Sequence, residues 1–526
     1  MGDMILYPRM NILKTERLME SPGFLFSCLL LLVATCFLRI IAPIGLLTTK
    51  KKKLPPGPNG LPLIGNFITL GDRPHETIAK LANKHGPLMT LKLGLTNVVV
   101  ASSAETAKLI LLKNDQSFLG RPIPHAVTAE TGFHLALPWL PPGPHWKKLR
   151  KICNTQIFTA QRLDALREVR NRMVRDMVGR VTDEGRDAVE GAGVLIGRLV
   201  FGTAVSLLSN SIFSVDMVDP KSGAMRELQR LNANIMVLVG KPNVADYFPF
   251  LKAFDPQGIR REVKVSYDRL HQLIDDMIDQ RLRRWVYGSN GCGDLLHVLL
   301  GYTEEDGPDR LDRLDVKLLL MEMFIGGTDT TTTTVEWAMS ELLHNPTILS
   351  KAKQKLSLKI TPGKTVQEQD ILGLPYLTAV IKETMRLHPI APFLLPRRAE
   401  EDVEICGYTI PKHTQVLINT WSITRDTTHW EDPTVFKPER FLNSEILDFR
   451  GRDLSFIPFS AGRRICPGLN LAVRMVSLIL ATLVHDFDWT LPNGMAPEEM
   501  DMTDKFGVVL HKAEPLVAVP MKIVSS

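Results

Sequence analysis

The stretch Phe459-Ser460-Ala461-Gly462-Arg463-Arg464-Ile465-Cys466-Pro467-Gly468 carries the strongest signal in this chain. Glycines at 462 and 468 allow tight backbone turns beside a flat ligand, and Arg464 stands where it could meet an anionic group. A helical pattern begins just after Gly468, and the amide N–H groups at a helix start stabilise a thiolate. A buried cysteine alone is usually inert packing, but this setting suits a cysteinate ligand to haem iron.

The composition of the whole chain is that of a folded globular protein. Its 526 residues are 44% hydrophobic and 23% charged, which excludes a disordered or collagen-like chain. The formal charge of +6 includes four lysines at 50–53, so the basic balance is local and no nucleic-acid partner is predicted. The six cysteines form no C-x-x-C pair, which indicates reduced thiols and neither a zinc site nor a disulfide framework.

A second motif, Gly326-Gly327-Thr328-Asp329-Thr330-Thr331, lies inside a long helical pattern. Paired glycines and the five threonines at 330–334 lower helix propensity, and a threonine hydroxyl can bond back to the i−4 carbonyl. We therefore expect a locally opened helix here, with Asp329 and Thr330 placed to pass protons. In isolation, the motif could equally reflect close helix packing with solvated threonines.

Two further residue pairs have helical spacing, one of opposite charges and one of a tryptophan with an arginine. Glu383 and Arg386 are three residues apart, and Trp146 and Arg150 are four apart. Taken alone, such pairs are usually surface contacts that contribute little to stability.

Periodicity predicts a mainly helical fold with a small β-sheet subdomain and one large unit. The predicted strands are Leu88–Leu93 and Val98–Ala101. Residues 397–454 are expected to be irregular, and the C-terminus hairpin-like. The predicted helices are Glu105–Lys113, Ala160–Arg180, Val263–Val286, Asp315–Leu343, Leu377–Leu387 and Asn470–His485.

The N-terminus predicts a membrane anchor. After a polar extension (residues 1–20), residues 21–49 are mostly apolar and long enough to span a bilayer once. The lysines that follow place the rest of the chain in the cytosol. A cleaved signal peptide is the alternative, but the positive cluster follows the apolar run. Residues 50–59 are a basic and Pro-rich hinge, and residues 60–526 are the expected catalytic domain.

The pattern F-x-x-G-x-R-x-C-x-G at Phe459–Gly468 resembles the haem-binding loop of the cytochrome P450 superfamily. The motifs described above follow in the order found in that family, together with Pro438-Glu439-Arg440-Phe441, so the resemblance covers about residues 55–520. It implies the cytochrome P450 fold, preceded by a single transmembrane helix. The implied cofactor is haem b with a cysteine thiolate ligand.

The resemblance assigns roles to individual residues. Cys466 would bind iron, and Asp329 and Thr330 would serve oxygen activation. Arg397 is preferred to Arg398 as a propionate partner because it directly follows Pro396. The residues expected to contact the haem propionates are Trp146, Arg150, Arg397 and Arg464, and those expected to form a buried structural ion trio are Glu383, Arg386 and Arg440.

The chain is most similar to plant microsomal enzymes of the geraniol-hydroxylase and ferruginol-synthase type, notably at 335–339 and 487–495. Ser460 replaces a more usual glycine, and Gly326 stands where alanine is common. The segments expected to face the substrate are 121–140, 324–327, 390–395 and 508–509. The pocket residues singled out are Phe324, Gly326, Gly327, Ile390, Ala391, Leu394, Leu395, Val508 and Val509.

The function implied is a monooxygenase of the endoplasmic reticulum membrane, single-pass, with its catalytic domain in the cytosol. It would insert one oxygen atom from O₂ into a C–H bond of a small lipophilic metabolite. Electrons would come from NADPH through a separate cytochrome P450 reductase. A terpenoid substrate is favoured, and a flavonoid or other phenolic is the alternative. A haem-thiolate isomerase or dehydratase is less favoured, because Asp329 and Thr330 are retained and such a reaction needs no proton delivery. A non-catalytic haem protein is also less favoured, and a substrate-induced spin-state change would exclude it.

Overall fold

The computed structural model describes residues 53–523 with seven internal gaps. The gaps are 188–191, 218, 220–221, 287–293, 303–309, 372 and 443–446. The predicted N-terminal extension and membrane anchor, with residues 50–52 of the hinge, lie outside the described residues.

Helices make up most of the described chain, as predicted. Four of the predicted helices extend from one to four residues beyond their predicted limits. The prediction of one helix over Ala160–Arg180 was wrong, because the helix is interrupted at Leu166. Arg170, which is buried and paired with Glu368, donates a hydrogen bond to the Leu163 carbonyl near this break at 2.6 Å. The α-helices are α1 (Pro74–His85), α2 (Ala104–Lys108), α3 (Pro144–Ile152), α4 (Ala160–Ala165), α5 (Arg167–Asp187), α6 (Ile196–Phe213), α7 (Gly223–Gly240), α8 (Val244–Tyr247), α9 (Ile259–Val286), α10 (Leu295–Leu300), α11 (Arg313–His344), α12 (Pro346–Ser357), α13 (Glu368–Ile371), α14 (Pro375–Leu387), α15 (Thr420–Ile423) and α16 (Leu469–Asp486).

The strands form small sheets. In the largest sheet the order is β1-β2-β7-β4, with β2 and β7 parallel and the other neighbours antiparallel. A second sheet has the order β3-β11-β8, and two further pairs are β5/β6 and β9/β10. The strands are β1 (Leu88–Leu93), β2 (Thr96–Ala101), β3 (Val194–Leu195), β4 (Arg397–Arg398), β5 (Val403–Ile405), β6 (Tyr408–Ile410), β7 (Gln415–Ile418), β8 (Phe487–Thr490), β9 (Asp504–Lys505), β10 (His511–Lys512) and β11 (Val517–Lys522).

Helix α11 runs through the centre of the fold. Its 32 residues begin at a cap in which the Asp312 carboxylate accepts the Asp315 N–H at 2.7 Å. It contacts α6, α14 and α16, and nearly all of its second half is buried. Helix α6 is buried on almost every side, which is typical of a helix enclosed in a large core. Within the described chain, α6 and α16 are also the two helices long and apolar enough to cross a membrane, but both are mostly buried inside the protein.

The Pro-rich segment after the lysines lies against β1. The Pro56 carbonyl accepts the Thr90 N–H at 2.8 Å, and a side chain at Gly57 would collide with the Thr90 carbonyl. The segment is extended, as proline requires, and its described part is fixed to the first sheet.

Candidate active site

The cysteine loop is a tight turn that ends at the start of α16. The Cys466 N–H donates to the Phe459 carbonyl at 3.0 Å, which closes the loop. Gly462 has φ +70°, and a Cβ there would lie 2.2 Å from the Leu111 carbonyl, so glycine is required. Ser460 also has a positive φ of +65°, a conformation that favours glycine and explains why glycine is more usual at this position. The loop therefore keeps its backbone path despite the serine.

The local electrostatics of Cys466 are mixed. Burial raises the pKa of its thiol, whereas hydrogen bonds from the N–H groups of Gly468 and Leu469, and the nearby Arg150 charge, lower it. Arg150 also donates to the Ile465 carbonyl at 2.9 Å, which ties α3 to the loop. Coordination of a metal ion deprotonates a thiol outright, so the sulfur suits a metal ligand.

Three buried arginines converge beside this loop: Arg121, Arg397 and Arg464. Burial lowers the pKa of Arg397 to about 10 and that of Arg464 to about 9. Burial also lowers the pKa of Arg121, and the charges of Arg397 and Arg464 lower it further. Within the described part of the chain, none of the three forms an ion pair with a carboxylate. A buried positive cluster of this kind is costly without an anionic partner.

These arginines are held in place by backbone carbonyls. Arg464 donates to the carbonyls of Leu119, Leu137 and Leu140, and its guanidinium lies 4.6 Å from the centre of the Trp146 ring. The predicted Trp146–Arg150 pair is thus no surface cation–π contact. Trp146 is buried, its stacked cation is Arg464, and its Nε1 has no hydrogen-bond partner among the residues that the structure describes.

The choice between Arg397 and Arg398 is clear from their surroundings. Arg397 is 2% exposed and donates long hydrogen bonds to Ser460 and Ala461 of the cysteine loop. Arg398 instead pairs with Glu400 at 2.9 Å. The structure therefore brings Arg397, and not Arg398, to the loop.

Sequence reasoning missed Arg121 as a member of the cluster. It was grouped with the substrate-facing segment 121–140, but it donates to the carbonyls of Leu395 and Pro396 and is fully enclosed. One signal in the sequence could have indicated this role. Arg121 is a charged residue at the start of a segment that was otherwise expected to face an apolar ligand. Its Nε has no partner in the structure.

The residues present fit a haem group. Three buried cations that pair with no carboxylate among the described residues, an indole N–H that has no partner among them, and the half-buried thiol of Cys466 match the two propionates and the iron of haem. A cleft of about 970 Å³ opens on the Trp146 and Arg150 side, bounded also by Leu119 and Gly462.

Helix α11 continues without interruption through the glycine and threonine motif, so the predicted local opening does not break it. The predicted back-bonding is present, since Thr330 donates to the Gly326 carbonyl at 2.6 Å. Thr331 to Thr334 are buried rather than solvated. The two glycines differ: a Cβ at Gly327 would meet Leu208 at 3.1 Å, whereas a Cβ at Gly326 would meet nothing within 4 Å. Gly327 serves helix packing, and Gly326 faces open space.

The predicted pocket residues fall into two groups. Phe324 stacks on Phe213 with ring centres 6.3 Å apart, so its ring packs in the core, and Val509 is also buried. Phe324 was expected to face the substrate together with Gly326. Successive residues of a helix point in directions about 100° apart, so these two residues lie on different faces of α11. The partly exposed predicted pocket residues are Ile390, Ala391, Leu394, Leu395 and Val508.

The predicted ion trio is buried and connected. Arg386 makes two hydrogen bonds to the Glu383 carboxylate, at 2.7 and 2.8 Å, and Arg440 adds a third at 3.1 Å. Glu383 and Arg386 are fully buried, so the surface-pair alternative is excluded. The trio joins α14 to the turn Pro438–Phe441, as the resemblance implied.

Two enclosed carboxyl groups, of buried Glu130 and half-buried Glu322, were not anticipated. Burial raises the pKa of Glu130 to about 7. Burial and the neighbouring Glu130 also raise the pKa of Glu322, although a hydrogen bond from the Leu137 N–H opposes this. Oε1 of Glu322 has no hydrogen-bond partner within the described ranges of the chain.

We expect the substitution E130Q to stabilise the protein at alkaline pH. A carboxyl whose pKa is raised from 4.5 to about 7 on folding stabilises the fold below pH 4.5, and this contribution is lost as the pH rises through 7. Glutamine removes the penalty of the charged form, so the Tm should rise at pH 8 by the equivalent of roughly 1–3 kcal/mol and change little at pH 4. Thermal unfolding at both pH values tests this. The exposed Glu262 provides the control E262Q, and equal effects of E130Q at both pH values would contradict the expectation.

Comparison with known proteins agrees with this geometry. The family model for Cytochrome P450 matches residues 55–519. The chain is 46% identical over 500 residues to geraniol 8-hydroxylase of Swertia mussotii, and the alignment covers 94% of this chain and 97% of that protein. It is 43% identical to drimenol monooxygenase of Persicaria hydropiper, and that alignment covers 90% of this chain and 94% of the relative.

The fold is also that of a solved structure. A zebra fish cytochrome P450 with progesterone superposes with a TM-score of 0.71 and 24% sequence identity, covering 85% of this chain and 99% of that one. The predicted cytochrome P450 fold and the predicted resemblance to geraniol-type plant hydroxylases are both confirmed, whereas the predicted transmembrane helix lies outside the described residues. The chain belongs to the cytochrome P450 family and is a haem-thiolate monooxygenase.

Proposed function

We propose that this monooxygenase hydroxylates a small lipophilic terpenoid. The observation that carries the proposal is the identity of 43–46%, over nine-tenths of the chain or more, with proteins named geraniol 8-hydroxylase and drimenol monooxygenase. The partly exposed residues at 390, 391, 394 and 395 are apolar, which is typical of a pocket for an apolar ligand.

The residues of the chain divide the work of holding the cofactor. Cys466 would bind the haem iron. Arg397, Arg464 and Arg121, with the N–H of Trp146, would pair with the propionates, and Arg150 would hold the loop through the Ile465 carbonyl. When bound, the haem with its thiolate ligand supplies the activation of O₂ and the insertion of one oxygen atom.

Gly326, Asp329 and Thr330 would serve oxygen activation. Gly326 leaves open space beside α11, and Thr330 keeps its hydroxyl one helical turn away, bonded to the Gly326 carbonyl. Asp329 would exchange protons at its carboxylate. A haem-thiolate isomerase needs no delivered proton, so these residues favour a monooxygenase.

The electrons would come from NADPH through a separate reductase. Lys147 and Lys151 on α3 expose positive charge near the cysteine loop, and Arg463 of the loop is also exposed, although it pairs with Asp115 at 3.3 Å. A charged surface of this kind steers the association of an oppositely charged partner. We place the protein at the endoplasmic reticulum membrane, anchored once by residues 21–49, with the catalytic domain in the cytosol.

Turnover in microsomes that contain a plant cytochrome P450 reductase tests the proposal. The substrates are geraniol, an abietane diterpene and a flavonoid, each with and without NADPH, and products are identified by mass spectrometry. We expect an NADPH-dependent gain of one oxygen atom on a terpenoid. Microsomes with the C466A variant provide the matched control.

The other outcomes separate the alternatives. A hydroxylated flavonoid without any terpenoid product would keep the mechanism and replace the substrate class. Equal product without NADPH would contradict electron supply through the reductase. Absence of a substrate-induced change in the haem spectrum would favour a non-catalytic haem protein.

A further inference from the structure

The side chain of Asp329 has one hydrogen-bonding partner among the residues that the structure describes. Its Oδ2 lies 2.8 Å from Nε2 of His511, which is 182 positions away in the chain. The Asp329 side chain is 8% exposed and the His511 side chain 20% exposed. The imidazole is therefore the more accessible of the two groups and the one better placed to exchange protons with water.

The position of His511 is fixed from two sides. The Leu510 carbonyl accepts the Trp337 N–H from α11 at 2.9 Å, and the Leu510 N–H donates to the Ile390 carbonyl at 2.9 Å. In the β9/β10 pair, His511 lies opposite Lys505. These bonds hold the backbone of Leu510, next to His511, against α11 and the Ile390 segment, and from there the imidazole reaches the Asp329 carboxylate.

The charges around His511 favour its protonated form. Burial lowers the pKa of the imidazole, but the hydrogen bond to Asp329, the charge of Asp329 and the charge of Glu336 outweigh burial, and the pKa is raised overall. Lys505 on the facing strand acts in the opposite direction. Lys512, the next residue on β10, lies 4.9 Å from the centre of the Trp337 ring.

We propose that His511 is a positioning residue that supplies protons to Asp329 during the monooxygenase reaction. The imidazolium gives its Nε2 proton to Oδ2 of Asp329, which becomes a neutral carboxylic acid, and the Nδ1–H tautomer of His511 remains. After Asp329 has passed its proton on, exchange with bulk water restores the imidazolium. The proposal rests on the monooxygenase function and extends it by a group outside the glycine and threonine motif.

Two substitutions test the role in turnover. H511F removes the titrating group, and H511Q keeps a hydrogen-bond donor that does not titrate. We expect NADPH-driven turnover to fall about tenfold in both, with loss of the pH dependence that His511 confers and a larger solvent deuterium isotope effect. The exposed His429, which pairs with Glu105 and Asp426, provides the control H429Q.

A second oxidant separates this proposal from the proposed function. Iodosylbenzene donates an oxygen atom without electrons or protons, so both His511 variants should keep wild-type turnover with it. Failure of the wild type with every substrate and both oxidants would instead contradict the substrate assignment. Loss of iodosylbenzene turnover in the variants alone would show a structural role and overturn the proposal.

An NMR titration tests the pair without turnover. In protein with ¹⁵N-labelled histidine, the signal lost in H511Q identifies His511. Its pKa should lie above the ordinary histidine value near 6.5 and fall in D329N. An unchanged His511 pKa in D329N, or wild-type turnover and pH dependence in H511F, would overturn the proposal.

Discussion

Replacing Cys466 with alanine should abolish both haem-thiolate spectra and monooxygenase turnover. The sulfur is the one group in the loop that can bind iron, and the backbone N–H groups of Gly468 and Leu469 are aimed at it. Without it, the arginine cluster would keep some attraction for the propionates, but nothing would bind the metal from this side. We expect haem content per chain to fall several-fold and NADPH-dependent product to fall below detection. The reduced-CO spectrum and mass spectrometry measure the two effects.

The variant C466H makes the test more specific. Histidine also binds haem iron, so this variant should recover part of the haem content, yet it lacks the thiolate that favours O–O cleavage. We expect haem without turnover. Turnover in C466H at the wild-type level would contradict the role of the thiolate.

The chain offers matched cysteine controls. Cys406 is exposed, so C406S should leave the spectrum and turnover unchanged. Cys153 is buried, and burial together with Glu322 raises its pKa to about 12, which leaves it an inert thiol. C153A should therefore keep the reduced-CO signature of the wild type. Loss of that signature in either control would show that Cys466 is not the sole ligand.

The cysteine loop could be predicted from sequence because its information is local. Gly462 and Gly468 stand where turns are needed, and the helix start follows directly. Long helices with a clear apolar period were predicted equally well, since α11 and α16 differ from their predicted limits by only one or two residues at each end. The cluster around the haem site is different. Arg121 and Arg397 come together only through the pairing of distant segments. Nothing in the sequence near Arg121 indicates that Arg397 lies beside it in the fold.

Helical rotation and burial limited the rest of the prediction. Phe324 and Gly326 are two positions apart, so one packs on Phe213 and the other faces open space, although the sequence grouped them in one pocket. Helix α6 was missed because it is buried on almost every side and therefore has no strong amphipathic period to detect. The contact between His511 and Asp329 joins segments 182 positions apart, and no local motif points to it.

The spacing of Glu383 and Arg386 in the sequence does not reveal that Glu383 is buried. This burial determines the effect that we expect from a substitution of Glu383. The carboxylate accepts hydrogen bonds from Arg386, from Arg440 and from the Lys437 N–H at 2.8 Å. Arg386 in turn donates to the carbonyls of Thr424 and Pro433, at 2.8 and 2.7 Å. The trio thus joins α14 to the irregular segment that precedes the cysteine loop.

The substitution E383Q should therefore destabilise the protein by about 3–5 kcal/mol, since it leaves Arg386 and Arg440 without their buried counter-charge. We expect a lower Tm and less haem per chain, because the segment leading to Cys466 loses its attachment to α14. Thermal unfolding and the haem spectrum of the same purified sample measure both effects. The exposed pair Lys264–Asp268, at 2.7 Å, provides the control K264A, whose cost should stay below about 0.5 kcal/mol. If E383Q unfolded at the same temperature as K264A and kept full haem content, the trio would not be what holds this segment to the fold.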